Sequence, residues 1–166
     1  MMGKITIVDD LLAPQDYITV NYKGKNPFMV CTMFLGILRD VMKISSIDLY
    51  ENDVRWDITD DPRTFYGVWF GKRGEDNWST SRIKIRAQGA QSSKDKTGWI
   101  TIMIKGWLET KHEYTNFIQK SFWWFFNYMF YYKQRRKYIE FSKDNIYQIR
   151  EKITQILGIS REEKLL

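Results

Sequence analysis

Between residues 79 and 88 apolar and polar positions alternate, with Ile83, Ile85 and Ala87 on one side and Arg82, Lys84 and Arg86 on the other. A period of two sends successive side chains to opposite faces, so this stretch predicts a strand with one buried and one cationic face. The same pattern runs through 99–110, where Ile100, Ile102, Ile104 and Leu108 share a face and Lys105 joins the other. Shorter β-branched and aromatic runs predict strands at 5–8, 17–22 and 65–72. Two further runs, 46–51 and 54–59, flank Asn52-Asp53 and predict a tight hairpin. Lys23-Gly24-Lys25 and the polar stretch 89–98 predict connections.

Two segments carry the helical period instead. After Asn26-Pro27, the residues Phe28, Cys31, Leu35, Leu38 and Met42 recur at three- and four-residue spacing. Asn26 is the expected N-cap and Pro27 the first helical residue. Gly36, a mild helix penalty, is expected where this helix packs closely on a sheet. The second segment, 116–157, contains no Gly or Pro. Asn116 with Gln119 has capping-box spacing, and Gly158 supplies the stop. A continuous helix of this length would measure about 63 Å, against about 40 Å for a compact body of this size. It must therefore project, wrap or break, and the expected break is near Ser142, where Ser and Asp compete for helical backbone bonds.

The element order is strand, helix, antiparallel strands, long C-terminal helix. This is α+β: an antiparallel sheet of about six strands wrapped over a long C-terminal helix. The chain reads as one domain, 1–166, with 1–16 as a lead-in and 116–157 as the long helical segment. Over 17–157 the element order resembles the helix-grip family, the START and Bet v 1-like proteins. It departs from them in having one N-terminal helix instead of a pair and six strands instead of seven. The resemblance implies an apolar ligand held between curved sheet and helix.

Composition narrows the chemistry. At 166 residues, with 43% hydrophobic and 28% charged, the chain is long enough for one core and should fold. One Cys excludes a disulfide framework, and one His excludes a multi-His metal site. The start of the chain lacks an apolar stretch of signal-peptide type, and no apolar run is long enough to span a bilayer. A cytoplasmic protein with no transmembrane segment is expected.

Four groups of residues are candidates for chemistry. The densest is Phe122, Trp123, Trp124, Phe125, Phe126, Asn127, Tyr128, Met129, Phe130, Tyr131 and Tyr132, which holds nine of the 27 aromatic residues. A helix on a single sheet needs an apolar stripe rather than an apolar circumference. Its own sheet should therefore cover one side and a second body the other. A protein partner, a second copy in a homodimer, an apolar small molecule and a membrane surface all suit such residues. The predicted contacts are Phe122, Trp123, Trp124, Phe125, Phe126, Tyr128, Tyr131 and Tyr132.

The second group is cationic. Lys133, Arg135, Arg136 and Lys137 follow the aromatic stretch, and Arg82, Lys84, Arg86 and Lys105 form the stripe on the sheet. With a net charge of +6 and a pI near 9.3, these surfaces predict an RNA or other polyanion partner. The third, Asp57, Asp60 and Asp61, has the carboxylates for a hard cation such as Mg²⁺, but it lacks EF-hand spacing and lies before Pro62, where a turn needs Asp in any case. The fourth is His112, with Glu109, Glu113 and Tyr114, a general-base arrangement that lacks an accompanying nucleophile motif. Cys31 belongs to the apolar face of the first helix, the place of an inert thiol. The sequence thus favours a non-enzymatic binding module without metal or cofactor, and places RNA or ribosome association and peripheral membrane binding as alternatives.

Overall fold

The structure, a computed structural model, describes residues 2–159. Residue 1 and residues 160–166, part of the single-domain expectation, lie outside the described residues.

The strands are β1 (Gly3–Asp10), β2 (Ile18–Lys25), β3 (Leu49–Asp57), β4 (Arg63–Gly74), β5 (Ser79–Gln91) and β6 (Thr97–Tyr114). They form one six-stranded antiparallel sheet in the order β1-β6-β5-β4-β3. The long β6 is the organising strand. One of its edges pairs with β5 over 98–110, and the other is shared by β2, against 97–104, and β1, against 107–114.

All helices lie on one face of this sheet. A 3₁₀ turn, Pro27–Met33, leads into α1 (Phe34–Met42). The C-terminal helix runs as α2 (Phe117–Phe126), a π-helical turn (Asn127–Tyr131) and α3 (Tyr132–Leu157). The inward positions of β5 and β6, Ile83, Ile85, Ile100, Ile102, Ile104 and Leu108, pack with Phe34, Leu38 and Met42 of α1 and Ile146, Ile149 and Ile153 of α3. Gly106 sets the spacing on β6. A Cβ there would lie 2.7 Å from Ile146 Cδ1 and 2.8 Å from Leu11 Cδ1, so a larger residue would make both side-chain ends shift.

The protein is α+β, as the periodicity predicts, but several local expectations give way. Residues 46–59 do not form a hairpin. Asn52-Asp53 is a bulge inside the single edge strand β3, with Asp53 at φ 57° and the register shifting between Asn52 and Arg55. Lys23-Gly24-Lys25 stays in β2, and the connection predicted at 89–98 shrinks because β5 and β6 extend into it. Asn26 sits in the left-handed region and makes no side-chain cap, so the first helix opens as a 3₁₀ turn behind Pro27. A Cβ on Gly36 would meet nothing within 4 Å, so this glycine serves no close approach.

The long helix does not break at Ser142. Ser142 and Asn145 are buried on its sheet side. Ser142 Oγ lies 2.8 Å from Ser81 Oγ and accepts from Arg73 Nη2 at 3.3 Å. Asn145 Oδ1 accepts from Arg73 Nη1 at 2.9 Å. Glu75 completes the group, 2.8 Å from Arg73 Nη2. Polar side chains satisfied across the interface have no reason to compete with their own backbone.

Candidate functional site

The C-terminal helix begins where β6 ends. The Gln119 amide donates to Asn116 Oδ1 at 2.9 Å, while Gln119 Oε1 accepts from the Thr115 amide and hydroxyl at 2.8 Å. The Asn116 side chain satisfies a donor that the helix start would otherwise leave open, and the return bond from Gln119 reaches Thr115, one residue before the cap. The N-cap at Asn116 is the one the sequence predicts, while the reciprocal half of the capping box is shifted by one residue.

From there the sheet holds every fourth residue: Trp123, Asn127, Tyr131 and Arg135 are buried. In a regular α-helix each four-residue step turns about 40° past a full turn, so three steps would carry the last anchor well off the sheet. The π-helical turn at Asn127–Tyr131 inserts extra chain and returns the series to one side. Each anchor has a specific seat. Trp123 stacks on His112 of β6, with ring centroids 5.1 Å apart and planes at 17°. Tyr131 Oη donates to Asp76 Oδ2 at 2.7 Å and lies 2.6 Å from Ser79 Oγ. Burial, together with the Asp76 carboxylate, raises the pKa of this phenol. Arg135 Nη2 donates to Asp9 Oδ2 of β1 at 2.5 Å, and Nη1 to Asn127 Oδ1 at 3.3 Å.

The rest of this stretch faces away from the sheet. Phe122, Trp124, Phe125, Phe126, Tyr128, Met129, Phe130 and Tyr132 are exposed, Tyr128 to 82%, and Phe117 and Ile118 of the first turn are exposed with them. The predicted aromatic site therefore divides. Phe122, Trp124, Phe125, Phe126, Tyr128 and Tyr132 form an outward surface. Trp123 and Tyr131 are anchors, and their inclusion as contacts for a second body is corrected by their burial.

The cationic prediction divides as well. Arg135 is 7% exposed and paired with Asp9, so it is not available to a polyanion. Lys133, Arg136 and Lys137 are exposed. Arg136 donates to the Tyr132 hydroxyl at 3.1 Å and lies over its ring. Lys120, at the other end of the aromatic stretch, lies over the Tyr114 ring. Between Glu113 and Glu140 there is no carboxylate side chain at all. This run was open to view in the sequence and is the signal that counting cations alone passes over.

Arg82, Lys84, Arg86 and Lys105 lie on the opposite side of the sheet, because they alternate with the inward Ile83, Ile85 and Ile104. Lys84 stands directly opposite Lys105 in the β5–β6 register. Arg82 is drawn to Glu109, 3.3 Å away, which also holds Lys111. Burial opposes the Glu109 charge, but these two cations outweigh it and keep the carboxyl below its usual range.

The candidates for catalysis are occupied structurally. His112 is part of β6 and serves as the platform for Trp123; burial lowers its pKa. Asp57 Oδ1 accepts from the Thr59 amide at 3.0 Å, as a turn residue does, and Asp61 Oδ1 accepts from the Ser93 amide at 2.9 Å, joining two loops. Cys31 is buried, and its thiol is pushed up to about 12.

No family model and no curated protein matches the chain. Among solved structures, a Staphylococcus aureus protein of unknown function aligns over 97% of this chain and 98% of its own, at 9% identity and a TM-score of 0.31. An uncharacterised Rhizobium leguminosarum protein aligns over 92% and 99%, at 6% identity and a TM-score of 0.20.

Proposed function

We propose that the protein is a non-enzymatic binding module whose docking element is the aromatic stretch of the C-terminal helix, and that its partner is an anionic lipid surface. One observation carries this reading. The outward rings of Phe122, Trp124, Phe125, Tyr128 and Tyr132 are uncovered, with cations at both ends and no carboxylate between Glu113 and Glu140. Aromatic rings favour the boundary between acyl chains and headgroups, and neighbouring Lys and Arg add about 1 kcal/mol each toward anionic lipid. Among the described residues no helix is long and apolar enough to cross a membrane, which suits attachment by one helix side.

The competing occupants fit less well. An internal apolar ligand would need the space that Phe34, Ile104, Ile146 and Ile149 fill. A two-fold dimer through antiparallel copies of this helix would set Lys120 of each copy toward Lys133, Arg136 and Lys137 of the other, cation against cation.

Vesicle flotation tests the reading. The protein should float with vesicles containing phosphatidylglycerol and remain behind with pure phosphatidylcholine. Equal behaviour with both, or a dimer in sedimentation that never floats, would overturn it.

A further inference from the structure

We propose that the helix-free face of the sheet is a second binding surface, and that its ligand is single-stranded nucleic acid. Lys84 and Lys105 are direct cross-strand neighbours, and like charges in that position destabilise a sheet. Arg86 is the next outward residue on β5. Among the described residues none of these three makes an ion pair, whereas Arg82 is tied to Glu109. A sheet keeps three unneutralised cations together most economically when an anion comes to meet them.

The rings beside these cations select the kind of anion. Phe70 stands opposite Lys84 on β4, with Lys84 Nζ 5.6 Å from its ring centre, and Trp107 stands opposite Arg82 on β6. Tyr50 continues the Phe70 row onto β3. Phe70, Trp107 and Tyr50 line a shallow depression of about 470 Å³ with Lys72 and Arg82. A second, of about 330 Å³, adjoins Lys84, Arg86, Lys105 and Tyr17, with Asp16 at its margin. Outward positions along β5 recur about every 6.8 Å, comparable to successive phosphates of an extended strand. Cations in a line with rings at their sides suit phosphates and unpaired bases together. A duplex would offer only the phosphates, since its base faces are hidden in the stack. This surface and the aromatic helix lie on opposite sides of the sheet, so the two interactions are separable.

Fluorescence anisotropy with a labelled oligouridylate, alone and annealed to oligoadenylate, tests the proposal. The wild-type protein should bind the single strand more tightly than the duplex, with affinity falling as salt rises. Replacing both Lys84→Gln and Lys105→Gln should weaken binding at least tenfold and reduce the log–log salt slope by about 1.4. Phe70→Ala should weaken it about fivefold or more without changing the slope. Trp124→Ala should bind as wild type. Arg86→Gln, a single outward change, guards against a fold defect and should lower the slope by about 0.7. Absence of binding at low salt, unchanged binding by the double variant, a preference for duplex, or loss of binding in Trp124→Ala would each overturn the proposal.

Discussion

Trp123 and Trp124 are adjacent in the chain, with ring centroids 5.4 Å apart, yet the first is 4% exposed and the second 43%. One step along a helix turns about 100°, and here that step separates the sheet side from the open side. The two residues should respond differently to the same truncation. Trp123→Ala removes the ring stacked on His112 and should cost about 3–5 kcal/mol of folding stability. Trp124→Ala should stay within about 0.5 kcal/mol of wild type. Urea unfolding of both variants reads the difference, and equal losses would contradict the assignment of sides.

A second neighbouring pair makes the same division among the cations. Arg135 is buried on Asp9, while Arg136 is exposed beside Tyr132. Arg135→Ala leaves a partly buried carboxylate and should cost about 2–3 kcal/mol, below the usual figure for a fully buried pair because Asp9 retains access to water. Arg136→Ala should have little effect on stability and should reduce vesicle binding about fivefold, the loss of one interfacial cation. Thermal melts and flotation of the two variants supply both readings.

On the other face, the Lys84–Lys105 pair predicts a gain. Lys84→Gln or Lys105→Gln alone relieves the repulsion and should raise stability by a few tenths of a kcal/mol at low ionic strength. The gain should fade as salt is added, because screening weakens the repulsion in the wild type. Chemical unfolding at two salt concentrations checks this. A loss of stability at low salt would mean that the lysine stems contribute more through packing than their charges cost.

The features legible in the sequence are those written locally. The β5 alternation, the Asn116 cap and the Gly158 stop each depend on residues within a few positions, and the structure places them where those patterns do. The features that the sequence does not show depend on distant partners. Ser142 and Asn145 look like helix breakers until Ser81 and Arg73 stand opposite them. Arg135 looks like its basic neighbours until Asp9, from the first strand, reaches it. The π-helical turn leaves no composition signal; it follows from four anchors spaced by four residues that must share one sheet. Asn52-Asp53 reads as a hairpin by residue type, yet the pairing of β4 with both halves of 49–57 makes it a bulge. The division of the aromatic stretch could be anticipated in kind, since no single sheet covers a whole helix. Which rings would anchor it could not be read from residue type, because the seats, Ser79, Asp76 and His112, come from elsewhere in the chain.

The most direct test of membrane docking through the outward helix face is quenching of tryptophan emission by brominated lipid. Wild-type protein and Trp124→Phe would each be mixed with phosphatidylglycerol vesicles carrying bromine in the acyl chains. The wild type should be quenched, and most of that quenching should vanish in Trp124→Phe, because Trp124 is the exposed indole of the docking stretch while Trp123 is shielded by the sheet. Absence of quenching in the wild type, or equal quenching in both proteins, would contradict the account.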